Sequence, residues 1–92
     1  MKHRKFRQSI HSKANKALRE LLINQRNKLS LTQRDLAEQL NVSRSLIGKI
    51  ETGDRRLDII ELLEYANHIQ IDCDTIISTI NKFQEITPPQ KV

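Results

Sequence analysis

The sequence predicts an all-α fold built from five short helices. Three observations carry that prediction. Only two Gly and two Pro occur in 92 residues, which suits helices with short turns better than a sheet. Apolar residues recur at three- and four-residue spacing along most of the chain, the period of a helix with one buried side. Good helix-starting residues, namely Ser12, Thr32, Ser43, Asp58 and Asp72, stand before each of these runs. With 37% hydrophobic and 3% aromatic residues, the core must be aliphatic. A chain of this length supports one small core and no second one.

Residues 1–11, MKHRKFRQSIH, are rich in cations, with Phe6 and Ile10 as the clear apolar side chains. A basic N-terminal arm that adds phosphate contacts fits these residues. A plain leader, or an early turn packing Phe6 and Ile10, fits the same residues. Ser12 caps a first helix over residues 13–27, with Ala14, Ala17, Leu18, Leu21 and Leu22 as its apolar stripe. Leu29 and Leu31 are expected to plug the core. Thr32 then precedes a second helix that opens at Gln33, and Asp35 three residues on completes a capping-box-like signal. Leu36, Ala37 and Leu40 share one side of it. Asn41 ends it, because Asn tolerates the left-handed backbone a tight turn needs. Val42 is an apolar plug and Ser43 an N-cap.

The third helix, residues 44–51, carries the decisive pattern. Leu46, Ile47 and Ile50 lie on one face, and Arg44, Ser45, Gly48 and Lys49 on the other, at about 100° per residue. One face is therefore held by a core. The other offers two cations, a hydroxyl and a small gap. Such a face suits a DNA major groove, where Arg and Lys donate to guanine O6 and N7 and Ser serves any base edge.

Gly53 ends this helix, and the loop after it exposes Arg55 and Arg56. These either clamp phosphates or pair with Asp54 or Asp58. Asp58 and Glu61 start a fourth helix, Ile59–His68, whose inner stripe is Ile59, Leu62, Leu63 and Ala66, with Ile60 and Tyr65 at its margin. Residues 69–71 are a break. Asp72 caps a fifth helix over residues 73–82, with Ile76, Ile77 and Ile80 inside and Cys73 as a small core or boundary residue. Pro88 and Pro89 stop further helix. Phe83 and Ile86 extend the last stripe, either as a dimer surface or as a cover for the core. Residues 12–82 thus form the domain, and residues 83–92 a tail that is a candidate dimerisation segment.

The combination Thr32-Gln33, Leu36-Ala37, Asn41-Val42-Ser43, Ile47, Ile50-Glu51 and Gly53, with the run over residues 53–66, resembles the phage-repressor-like (Xre/Cro-type) helix-turn-helix regulators. The resemblance covers roughly residues 18–80; Asn41 replaces the Gly common in that family. It implies a compact five-helix lambda-repressor-like domain. The implied partner is a double-stranded DNA operator, palindromic and bound by a homodimer, with repression as the outcome. Base reading falls to Arg44, Ser45 and Lys49, and phosphate binding to Gln33, Ser43, Arg55 and Arg56. The resemblance also implies that Arg26, seven residues before Gln33, pairs with Glu51. The pairing is physically sound, since an anion near a helix C-terminus is disfavoured by the dipole and a guanidinium supplies two hydrogen bonds.

Charge agrees with a polyanionic partner. The net charge is +5, and residues 1–28 hold nine Lys/Arg against one acid, whereas residues 57–92 hold two against six. No run is long enough to span a bilayer, no apolar signal segment follows the basic start, and Cys73 is alone, so a cytoplasmic location is expected. No nucleophile–base pair, paired-carboxylate site or phosphate-cradling Gly loop is visible, so neither an enzyme nor a cofactor is expected. His3 and His11 lack companion ligands, and His68 with Cys73 are too few for zinc, so no metal is expected. The alternative is an antitoxin-type module that binds a toxin protein through residues 83–92 and autoregulates its own promoter.

Overall fold

The computed structural model describes residues 12–83. They form α1 (Lys13–Lys28), α2 (Gln33–Leu40), α3 (Arg44–Thr52), α4 (Ile59–His68) and α5 (Cys73–Asn81), with no strand among the described residues. The basic arm and the tail from residue 84 onward lie outside the described residues. Among those described, no helix is long and apolar enough to cross a membrane.

Every predicted cap is present. Ser12 Oγ accepts from the Asn15 amide at 3.1 Å, Ser43 Oγ from Leu46 at 3.2 Å, and Asp72 Oδ1 from Thr75 at 2.7 Å. Thr32 with Asp35, and Asp58 with Glu61, close reciprocal capping boxes. Each cap satisfies an orphan amide of the first turn and contributes about 1 kcal/mol.

The helix ends share a second device. Ser30, Asn41, Gly53 and Gln70 adopt left-handed backbone, with φ of 60°, 57°, 90° and 63°. Directly after each, an amide reaches five residues back: Leu31 to Arg26, Val42 to Ala37, Asp54 to Lys49 and Ile71 to Ala66, at 2.8–3.1 Å. Orphan carbonyls of the last turn are satisfied and the chain reverses in the fewest residues. In α2 this closure ends the helix so sharply that Ser43 caps α3 two residues after Asn41.

The core joins Leu22, Leu36, Ala37, Ile47, Ile50, Leu62, Tyr65, Ala66, Ile69 and Ile76. Leu29 and Leu31 pack against it, as expected. α1 packs on α3 and α5, while α2 packs on α3 and α4.

Several expected positions differ. Ile59 and Leu63 are exposed, and so is Ile77, whereas Tyr65 and Ile69 are fully buried. Apolar residues on α4 occupy two sides of the helix, and periodicity alone does not say which side faces inward. The core takes the stripe Leu62, Tyr65, Ala66 and Ile69, centred about 60° around the helix from the one expected. Cys73 is exposed at the first position of α5, not at a core boundary. Phe83 is 44% exposed and leaves much of its ring outside the core.

This arrangement ranks the isoleucines. Ile69→Ala should lower the free energy of unfolding by about 2–5 kcal/mol through a cavity at the α4–α5 junction. Ile60→Ala, at a position 67% exposed, should change it by less than about 0.5 kcal/mol. Urea midpoints measure both, and the reverse order would contradict the core assignment.

Candidate nucleic-acid interface

α3 separates its two faces as the sequence predicts. Ile47 is 0% and Ile50 4% exposed, while Arg44, Ser45 and Lys49 all lie on the exposed side. A Cβ added at Gly48 would meet only Gln33 Oε1, at 3.8 Å, so the gap on the outer face is real space.

Behind that face lies a buried charge. Glu51 is 8% exposed. Arg26 Nε donates to its Oε2 at 2.7 Å and Nη2 to its Oε1 at 3.0 Å, giving the two-pronged ion pair expected from the resemblance. Gln33 Nε2 donates to the same Oε1 at 2.9 Å, and Arg26 Nη1 donates to the Leu31 carbonyl at 2.8 Å. The carboxylate therefore ties α1, α2 and α3 together, and Arg26 adds the α1–α2 loop. Hydrogen bonding to Glu51 holds the Arg26 guanidinium above its ordinary pKa. Burial, then the nearby Glu51 charge, pushes the Tyr65 phenol up, so it keeps its proton. The Gln33 side-chain amide, expected at a phosphate, is engaged with Glu51 in this arrangement.

The α3–α4 loop holds an ion pair with an unexpected partner. Arg55 Nη1 and Nη2 donate to Glu61 Oε1 and Oε2 at 2.9 and 2.8 Å. Neither Asp54 nor Asp58 takes it; the acid of the α4 capping box does. Arg55 and then the Asp58 amide hold the Glu61 carboxyl down at about 2. Arg55 Nη1 also donates to the Arg56 carbonyl at 2.8 Å, so this side chain braces its own loop. Ser43 serves as the cap of α3.

One exposed cation lies beside the predicted site residues. Arg34 is exposed and lines an open cleft of about 430 Å³ with Arg26, Thr32, Gln33 and Arg44. The available signal was its position: a cation in the first turn of a helix opposes the dipole, so helix stability does not explain it.

Two measurements follow from these charges. Glu51→Ala strands the Arg26 guanidinium among buried neighbours and should destabilise by about 3–5 kcal/mol in chemical denaturation. Glu61, by contrast, acts through pH. Its folded pKa of about 2 lies below the ordinary 4.5, so its contribution is complete above pH 4.5 and is lost as pH falls toward 2. The capping carboxyls Asp35 and Asp72 are lowered by hydrogen bonds with Thr32 and Thr75 and add to the same acid loss. Glu61→Gln should therefore make the fall of Tm between pH 4.5 and 2 shallower without abolishing it; an unaltered slope would contradict the pairing.

The helix-turn-helix family model matches residues 22–76, more than half of the chain, from the second half of α1 into α5. That span contains every assigned site residue from Arg26 to Arg56. Comparison with functionally curated proteins gives no match. Among solved structures, an XRE-family like protein from Pseudomonas syringae pv. tomato str. DC3000 is 32% identical, with a TM-score of 0.72 over 83% of this chain and 93% of that one. The capped helices, the left-handed turn between α2 and α3 and the divided faces of α3 thus have a family: the chain belongs to the XRE-type helix-turn-helix DNA-binding regulators.

Proposed function

We propose that this protein is a sequence-specific repressor that binds a palindromic operator as a homodimer and reads bases with Arg44, Ser45 and Lys49. The division of α3 carries the reading: Ile47 and Ile50 anchor the helix inward while the three polar side chains stand exposed. Two copies related by a two-fold axis would place their α3 helices in successive major grooves, roughly 34 Å apart. Exposed Ile77 and Phe83 on and after α5, and Ile59, Ile60 and Leu63 on α4, supply apolar surface for a second copy. Repression follows from occupying a promoter and blocking polymerase.

Affinity comes chiefly from phosphates. Gln33, Ser43, Arg55 and Arg56 are assigned there, and the structure's cleft adds Arg34 beside Arg44. Arg55 contributes by holding its loop through Glu61 as well as by its charge.

Selection of bound sequences from a random duplex pool tests both assignments. Arg44→Ala should change the preferred bases, with about 1–3 kcal/mol of discrimination lost at the affected position. Arg34→Ala should weaken all sites alike and reduce the slope of log K against log salt by about 0.9. An unchanged motif removes Arg44 from base reading, and an unchanged slope removes Arg34 from the backbone contacts.

A further inference from the structure

α1 reaches α3 at a second place. Arg19 stands seven residues before Arg26, so both side chains leave the same side of α1, two turns apart. Arg26 takes the Glu51 carboxylate. Arg19 Nη1 donates to the Glu51 main-chain carbonyl at 3.3 Å. That carbonyl belongs to the last turn of α3, where carbonyls lack intrahelical partners and the dipole is negative.

Two neighbours seat the guanidinium. Arg19 Nε donates to Asn15 Oδ1 at 2.8 Å, one turn earlier on α1. On its other side lies Gly53, where an added Cβ would stand 3.0–3.3 Å from Arg19 Cζ, Nη1 and Nε. Gly53 already has φ +90° as the end of α3, so one residue closes the helix and leaves the slot. Side chain and slot are thus matched from both helices.

We infer that Arg19 is a positioning residue for DNA recognition: with Arg26 it grips the C-terminal end of α3 at two points and fixes how that helix presents Arg44, Ser45 and Lys49. A grip on the Glu51 carboxylate alone acts on the α3 backbone only through the Glu51 side chain. The Arg19 bond reaches the backbone itself. This inference rests on the reading of α3 as the base-reading helix.

The test uses the full chain with Arg19→Ala, Arg19→Lys and Asn15→Ala. On the duplex selected by the wild type, Arg19→Ala should weaken binding about fivefold. The salt slope should stay that of the wild type, because Arg19 touches protein and not phosphate. Arg19→Lys, which keeps a donor for the carbonyl, should recover part of the loss, and Asn15→Ala should weaken binding by less than Arg19→Ala. Without DNA, amide hydrogen exchange at Gly53 and Asp54 should quicken in Arg19→Ala and stay near wild type at Leu36 in the core. A salt slope reduced by about 0.9 would make Arg19 a phosphate ligand and overturn the inference. Unchanged exchange at Gly53 and Asp54 would overturn it as well. If the wild type selects no sequence at all, the base-reading proposal fails, and the exchange measurement still decides whether Arg19 holds the end of α3.

Discussion

The buried carboxylate of Glu51 is the constraint on which the arrangement depends. A carboxylate taken out of water is expensive unless donors surround it. Here Arg26 supplies two hydrogen bonds and Gln33 a third. Those donors come from α1 and α2, so α3 cannot leave α1 without stranding a charge, or α2 without losing a donor to it. The Arg55–Glu61 pair shows the contrast. Its side chains are 36% and 38% exposed, and its bidentate geometry is good. Water screens it, and its effect is local to one loop. Burial, not the number of hydrogen bonds, separates the pair that organises three helices from the pair that braces a turn.

The helix ends show how local propensity and tertiary packing share control. Asn41 and Gly53 are residues that tolerate left-handed backbone, and both turns are readable from sequence. Ser30 and Gln70 adopt the same conformation without that signal. In each case the next residue, Leu31 or Ile71, packs against the core, and its amide closes the preceding helix. Burial of those apolar side chains and satisfaction of the orphan carbonyls offset a strain of order 1–3 kcal/mol. Single-sequence reasoning sees the strain-tolerant residues and misses the strained ones, because the compensation lies in contacts distant along the chain.

The same distinction explains which parts of the site were legible. The two faces of α3 could be read because its apolar and polar groups lie nearly opposite each other. α4 could not, because Ile59, Ile60 and Leu63 offer an apolar side that competes with Leu62, Tyr65 and Ala66. Nothing in periodicity favours one over the other; the approach of α2 decides. Arg26 was legible only through its family spacing to Gln33. Arg19 repeats Arg26 at seven residues and Arg34 opposes the dipole of its own helix, but neither signal names a contact, since a cation on a helix is ordinarily a solvated one. Their surroundings appear only in the fold, where Arg19 lies against Gly53 and Arg34 lines one cleft with Arg44.

Gly48 lies on the outer face of α3. Glycine inside a helix costs about 1 kcal/mol relative to alanine. A tightly packed neighbour could justify that cost, yet an added Cβ would meet one atom, Gln33 Oε1, at an ordinary 3.8 Å. No positive φ requires glycine there either, unlike Gly53. The fold therefore has no need of glycine at this position. Its place on the helix lies between Arg44 and Ser45 around the axis, on the face that the Glu51 network holds outward. A bare backbone at that point lets another surface approach α3 closely while the flanking side chains reach past it. The core gives no return for the stability forgone at Gly48; the proposed groove contact on the outer face would.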